Sequence, residues 1–325
     1  MLQDRKMKIL GLINRNSGPG FHRIMMPLLM MEGPDVYITN SVKVEDFEGC
    51  DYIYYNRVIS NEVLACREKY GFKIVVDVDD YWELDYHHIA YKDYLVNDFG
   101  SLQKMHLRNA DVVTTTHERL AEKIIPYNNN VIVVPNAIPN HEYFAFNKTE
   151  SERVRIFWQG SITHEKDIEL LRGPVKRLDP NKVMMVMAGY TKHEAWDRMV
   201  STYTSGLKLN GSILPGTATH LYYHNYSFAD ICLAPLVESQ FNSFKSNLKI
   251  LEAAHAGLPV IASAVHPYHD MPVLYAEKQS DWFKYLNKLI NNPELRKDIG
   301  QNLKEFCNRN YNFQKINQKR KEIFI

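Results

Sequence analysis

Short apolar runs recur along the chain, each separated from the next by a longer stretch with helical spacing. In the first half the runs are Ile9–Ile13, Tyr52–Tyr55, Ile74–Val78, Val112–Thr115 and Val131–Val134. They are rich in β-branched or aromatic residues, and most are bounded by Asp, Asn, Lys or Gly, so they read as buried strands. Phe21–Met31, Asn61–Tyr70, Leu102–Asn109 and Glu118–Ile125 read as the helices between them. Strands apolar on both faces, each followed by a helix, belong in a parallel sheet covered on both sides.

Pro135-Asn136-Ala137-Ile138-Pro139-Asn140 interrupts the alternation, and a polar stretch follows. Such composition marks a linker, placed at about residues 145–152. The pattern then restarts. Val154–Gln159, Val183–Ala188, Ile231–Ala234 and Val260–Ala262 read as strands, and Asp167–Leu178, Ser246–Ala256 and Asp281–Ile290 as helices. From Pro293 the chain reads as amphipathic helix, basic near its end at Lys315, Lys319, Arg320 and Lys321. The expected organisation is an N-terminal domain over 1–146 and a second domain over 147–304. A last helix over 305–325 is expected to cross back to the first domain. Both domains are Rossmann-like α/β units, expected to face each other across a cleft. Ligands of such sheets bind at the carboxyl ends of the strands.

Composition adds limits. At 325 residues the chain suits two domains, and 45% hydrophobic with 24% charged residues is ordinary for a globular protein. A net charge of +1 gives no strong overall field, so an anionic partner must be held by local clusters. Cys50, Cys66, Cys232 and Cys307 form no C-x-x-C pair, which points to reduced thiols and a cytoplasmic setting. The apolar run Ile9–Ile13 is too short for a secretion signal or a membrane span.

Four segments concentrate candidate chemistry. Asn16–Arg23 follows the first strand. Gly18 and Gly20 would let the backbone approach a phosphate, and Arg23 would add a charge, although an ordinary strand-to-helix turn reads the same way. Asp77, Asp79 and Asp80 end a buried strand; they are candidate catalytic carboxylates, against the plainer reading of an acidic helix cap. Trp158–Asp167 repeats the turn of the first segment, with Gly160, Ser161, His164 and Lys166 as candidate ligand-binding groups, against the plainer reading of helix capping by Thr163. In Lys245–Ser263 helical spacing puts Lys245, Lys249 and Glu252 on one face, with Ser246 beside them. Lysines at a helix start suit a diphosphate, and a glutamate farther along could accept bonds from a ribose; a salt-bridged outer face is the alternative.

The segment Lys249-Ile250-Leu251-Glu252-Ala253-Ala254-His255-Ala256-Gly257-Leu258-Pro259-Val260-Ile261-Ala262 closely resembles the donor-binding signature of the group 1 glycosyltransferases of the GT-B class. Ala110-Asp111-Val112-Val113-Thr114, Asn130–Ile138 and Ala229–Pro235 resemble other segments of that family, in the same order. The resemblance implies a GT-B fold, a nucleoside-diphosphate sugar as donor (a UDP-sugar first), no further cofactor, no metal, and retention of anomeric configuration. Phe244 stands where the family's first glutamate is expected, leaving Glu238 as a candidate, and Ser161 stands where many members carry arginine.

The chain also resembles short bacteriophage glycosyltransferases, including those that modify hydroxymethylated pyrimidines in DNA. On that reading Tyr81, Trp82, His87 and His88 would hold a flipped base, and Arg15, Arg23, Arg57, Lys104 and Arg108 would grip phosphates of double-stranded DNA. The alternatives are a glycan, lipid-linked or protein acceptor, a metal-dependent transferase using Asp77-x-Asp79, and a non-catalytic nucleotide-sugar-binding protein.

Overall fold

The computed structural model describes residues 5–14, 17–206 and 208–324. It forms two compact units. The first comprises the described residues of Met1–Leu84, Tyr91–Pro139 and Phe313–Ile325; the second comprises Asp85–Ala90 and those of Asn140–Asn312.

The first unit is built on six parallel strands: β1 (Lys8–Leu12), β2 (Asp35–Thr39), β3 (Tyr52–Asn56), β4 (Lys73–Val78), β5 (Val112–Thr115) and β6 (Val131–Val133). They lie in the order β2-β1-β3-β4-β5-β6. A π-helical turn over Gly20–Met25 runs into α1 (Met26–Leu29), and α2 (Asn61–Tyr70), α3 (Tyr91–Val96), α4 (Phe99–Asn109) and α5 (Glu118–Ile124) follow. Every residue of β3 is buried, as expected for a central strand covered on both faces.

The second unit repeats the plan with β7 (Val154–Gln159), β8 (Val183–Tyr190), β9 (Asn210–Pro215), β10 (Ile231–Ala234), β11 (Val260–Ser263) and β12 (Leu274–Ala276). These are also parallel, in the order β12-β11-β10-β7-β8-β9. Its helices are α6 (Glu165–Glu169), α7 (Arg172–Val175), α8 (Glu194–Tyr203), α9 (Leu248–His255), α10 (Gln279–Ile290) and α11 (Pro293–Asn310). Trp158, Trp196, Met187, Leu233 and Trp282 lie in its core.

The helix expected over Asp167–Leu178 is instead two short ones. Pro174 has no N–H to donate and its ring would strike the carbonyl of Leu170, so the helix stops and restarts with Pro174 in a first turn. Residues 140–146, expected in the first domain, join the second unit, where Phe144 packs against Tyr223 with ring centroids 5.1 Å apart. At the other end α12 (Phe313–Lys321) belongs to the first unit. There Asn317 Nδ2 donates to Pro27 O at 2.9 Å, and the Phe324 ring meets Tyr52 and Tyr54 at 5.3 and 5.6 Å.

Candidate functional site

In the first unit the carboxyl ends of β3 and β4 carry the aspartate cluster, and the structure divides it. Asp77 is 0% exposed. Arg23, 1% exposed, donates to it through Nε at 3.0 Å and a terminal nitrogen at 2.8 Å. Thr114 Oγ1 donates to it at 2.7 Å and Asn56 Nδ2 at 3.1 Å. Arg23 spends its remaining reach on Val134 O and Asn136 Oδ1. A carboxylate and a guanidinium buried and satisfied by each other hold the sheet to its first helix. The expectations of Asp77 as a catalytic base and Arg23 as a phosphate ligand are therefore corrected. Both side chains point into the interior.

The glycine turn is closed in the same way. Gly20 N–H donates to Ser17 Oγ at 3.0 Å, and Gly18 begins a helical turn rather than an open loop. Arg15 and Asn16 lie outside the described residues.

Asp79 and Asp80 are partly open to solvent, with side chains 14% and 22% exposed. Arg57 bridges them, donating to Asp79 at 2.9 Å and to Asp80 at 2.5 Å. Its backbone sits at φ 62°, a left-handed conformation that a residue with a Cβ adopts only where surrounding contacts impose it. Arg57 is thus committed to the acidic cluster rather than held out as a phosphate grip. Tyr81 and Trp82 are 6% and 2% exposed. Tyr81 donates to Glu83, and the Trp82 ring packs edge-on against Tyr127 at 5.7 Å. Both belong to the interior, which corrects their expected role as a stacking platform for a base.

In the second unit β7 ends at Gln159, and the turn through Gly160 lies against Gly189. A Cβ on Gly189 would come within 2.2 Å of Gly160 O, and φ at Gly189 is +103°. Only glycine lets the ends of β7 and β8 approach so closely. The tight turn carries Ser161, whose hydroxyl bonds Thr163 at 2.7 Å, and then His164. His164 Nδ1 and Asp167 Oδ2 are 2.6 Å apart, and Asp167 Oδ1 accepts from Val237 N–H at 2.7 Å. Burial lowers the pKa of His164, with its bond to Asp167 acting in the opposite sense and Lys249 and Lys245 adding to the lowering.

Lys249, the second residue of α9, donates to Gln159 O and lies 5.3 Å from the Trp158 ring. Burial lowers its pKa too, opposed by Glu252 and Asp167. Lys245 and Ser246 lie just ahead of α9, with Lys245 4.6 Å from the Phe241 ring. Glu252 is 5% exposed. Its carboxylate accepts from Tyr222 and Tyr226, and Tyr223 donates to its backbone carbonyl. Gly160, Ser161, His164, Lys249 and Glu252 are therefore linked through β7, α6 and α9.

Lys166 lines a cavity of about 650 Å³ in the second unit, together with Asp167, Glu238, Phe241, Asn242 and Gln279. Asp85, Tyr86, His87 and His88 also line it. The His88 ring meets Phe241 at 5.3 Å, and Tyr86 stacks on His87 at 3.6 Å. His87 and His88, expected beside Tyr81 and Trp82, are instead brought together with Lys166 and Glu238. Asp85, Asp167, Asn242 and Gln279 are members that sequence reasoning missed. They are scattered in sequence and carry no motif, although the aspartate next to a lysine after a glycine turn was a usable signal for Asp167.

Among comparisons with known proteins, residues 153–292 match the family described as Glycosyl transferases group 1. No curated protein matches the chain in sequence. The fold is similar to that of sucrose-phosphate synthase from Thermosynechococcus elongatus, at 15% identity, covering 98% of each chain with a TM-score of 0.70. It is similar to an alpha-glucosyltransferase in complex with UDP and a 13-mer DNA containing a HMU base, at 12% identity, covering 98% of this chain and 100% of that one, TM-score 0.65. It is also similar to WaaG, a glycosyltransferase involved in lipopolysaccharide biosynthesis, at 12% identity, covering 98% and 99%, TM-score 0.62.

Proposed function

We propose that this chain, a group 1 glycosyltransferase of GT-B fold, moves a sugar from a UDP-sugar to an acceptor hydroxyl, with the donor held by the second unit. The observation that carries the donor reading is the juxtaposition at the starts of α6 and α9. His164, bonded to a wall residue of a 650 Å³ cavity, lies within the field of Lys245 and Lys249. Two ammonium groups beside a tight glycine turn suit a diphosphate, and the cavity beyond suits the sugar. As the glycosyl bond breaks, charge develops on the leaving diphosphate. Fixed cations stabilise that charge without rearranging. On this reading transfer needs no metal and retains anomeric configuration. Asp77-x-Asp79 is a poor metal site, because its carboxylates are bonded to Arg23 and Arg57.

The acceptor reading that we carry forward is a hydroxymethylated pyrimidine in DNA. It is supported by likeness along almost the whole chain to the alpha-glucosyltransferase bound to a DNA containing a HMU base. On this reading Asp79 and Asp80, partly open to solvent beside Arg57, would accept the proton of the acceptor hydroxyl. A glycan acceptor is the second reading, favoured by the likeness to WaaG and by a net charge of only +1.

The test offers the enzyme UDP-glucose with duplex DNA containing 5-hydroxymethyluracil or 5-hydroxymethylcytosine, and in parallel with glycan acceptors. Digested nucleosides and glycans are then read by mass spectrometry. Glucosylated nucleoside is the expected product. Transfer to glycan alone would reject the DNA acceptor. A charge-assisted bond contributes about 1.5–3 kcal/mol, so Lys249→Ala should weaken UDP binding at least tenfold in calorimetry. Unchanged affinity would reject the donor assignment.

A further inference from the structure

The cavity beside His164 has a charge pattern that bears on which sugar it accepts. Four carboxylates line it, Asp85, Asp167, Glu169 and Glu238, against one lysine, Lys166. That lysine is already 3.7 Å from Glu169. Asp167 is compensated by His164 and by the N–H of Val237. Among the described residues, no ion pair joins Asp85 or Glu238 to Lys166, the one lysine on the wall. The rest of the wall holds His87 and His88, whose rings lie against Tyr86 and Phe241; Thr163, Ser239, Asn242 and Gln279 can exchange hydrogen bonds with hydroxyls, and Leu170 and Phe241 offer apolar surface to the C–H face of a ring. The lysines that suit a diphosphate, Lys245 and Lys249, are not among the cavity's lining residues.

We infer that this cavity takes an uncharged, hydroxyl-rich glycosyl group and turns away one that carries a carboxylate. The inference rests on the donor reading above and names the class of sugar within it. Sugar hydroxyls donate to Glu238 and Asp85 and satisfy them, whereas a sugar carboxylate brings a like charge to a partly enclosed acidic wall with nothing to donate.

UDP-glucose and UDP-glucuronate isolate the effect, because they differ only in whether C6 is an alcohol or a carboxylate. Titration calorimetry of the full chain with UDP, UDP-glucose and UDP-glucuronate at pH 7.5 is the experiment. UDP-glucose is expected to bind at least tenfold more tightly than UDP-glucuronate, and Glu238→Gln is expected to narrow that gap at least threefold. Raising the salt concentration narrows it as well, since the repulsion is screened. A gap below tenfold in the unaltered protein overturns the inference while leaving the donor reading in place. A gap unmoved by Glu238→Gln overturns its assignment to this cavity. Failure of UDP itself to bind removes the donor reading and this inference together.

Discussion

Asp77 and Asp79 stand two residues apart at the end of β4 and share Asn56 Nδ2 as a donor. Asp77 nevertheless disappears beneath Arg23 while Asp79 stays at the surface with Arg57. The difference lies in what each meets: a cation brought in by the preceding helical turn, or one carried by the neighbouring strand end. Charge pattern in the sequence announces the cluster but not which member the core will claim, because Arg23 lies 54 positions away. The Lys249–Ala262 signature was readable because its members are contiguous in the chain, through α9 and into β11. The wall of the 650 Å³ cavity was not, since residues 85–90 leave the first unit and join the second. Burial also sets a residue-scale pH response. His106 is 0% exposed. Its Nδ1 bonds the Tyr55 hydroxyl at 2.7 Å, and its Nε2 accepts from Ile59 N–H at 3.4 Å. Burial pushes its pKa down to about 4. Between pH 6.5 and 4 the unfolded chain takes up a proton that the folded one refuses, so stability is present above 6.5 and is lost as pH falls through that window. The expected loss at pH 4.5 is about 2–3 kcal/mol. Urea midpoints at pH 7 and 4.5 should show it, and His106→Gln should flatten the difference. An equal slope in the variant would assign the loss to other groups.

At the scale of elements, most of the buried strands and the helices between them follow from apolar spacing, while β2, β9 and β12 do not. All three lie at sheet edges. An edge strand needs no continuous apolar run, and β9 in Asn210–Pro215 has no fully buried residue. α3 has none either, and so offers no apolar stripe to read. Gly160 and Gly189 approach each other closely where β7 and β8 end. Gly189→Ala forces a Cβ against Gly160 O and holds alanine at a positive φ. The turn carrying Ser161 and His164 must then move. Expected effects are about 2–4 kcal/mol of destabilisation and at least tenfold weaker UDP binding. Gly206→Ala separates the two causes, since Gly206 shares the positive φ, at +67°, but has nothing within 4 Å of the added carbon. It should cost about 1 kcal/mol and leave UDP affinity as it was. Equal loss of UDP affinity in both variants would refute the close-approach account.

At the scale of the whole molecule, the chain changes unit after Leu84, Ala90, Pro139 and Asn312. The first unit is therefore finished by residues that come after all of the second. Phe324 is 0% exposed, and Phe313 and Ile323 are 6% and 7% exposed. Each large apolar side chain withdrawn from water contributes about 1.5–3 kcal/mol, and three together rival the net stability of a domain. Deleting residues 313–325 should leave a second unit that resists trypsin and a first unit that is digested, read by mass spectrometry of the fragments. A first unit that survives intact would show the segment to be dispensable. The same order of assembly has a consequence during synthesis. From Leu84 to Phe313 a ribosome needs on the order of 10–45 s at 5–20 residues per second. For that interval the strands made first wait with part of their apolar surface uncovered, while the unit made later can fold outright. The nascent chain therefore matures in reverse, and chaperones that guard exposed surface would be needed at its older end rather than its newer one.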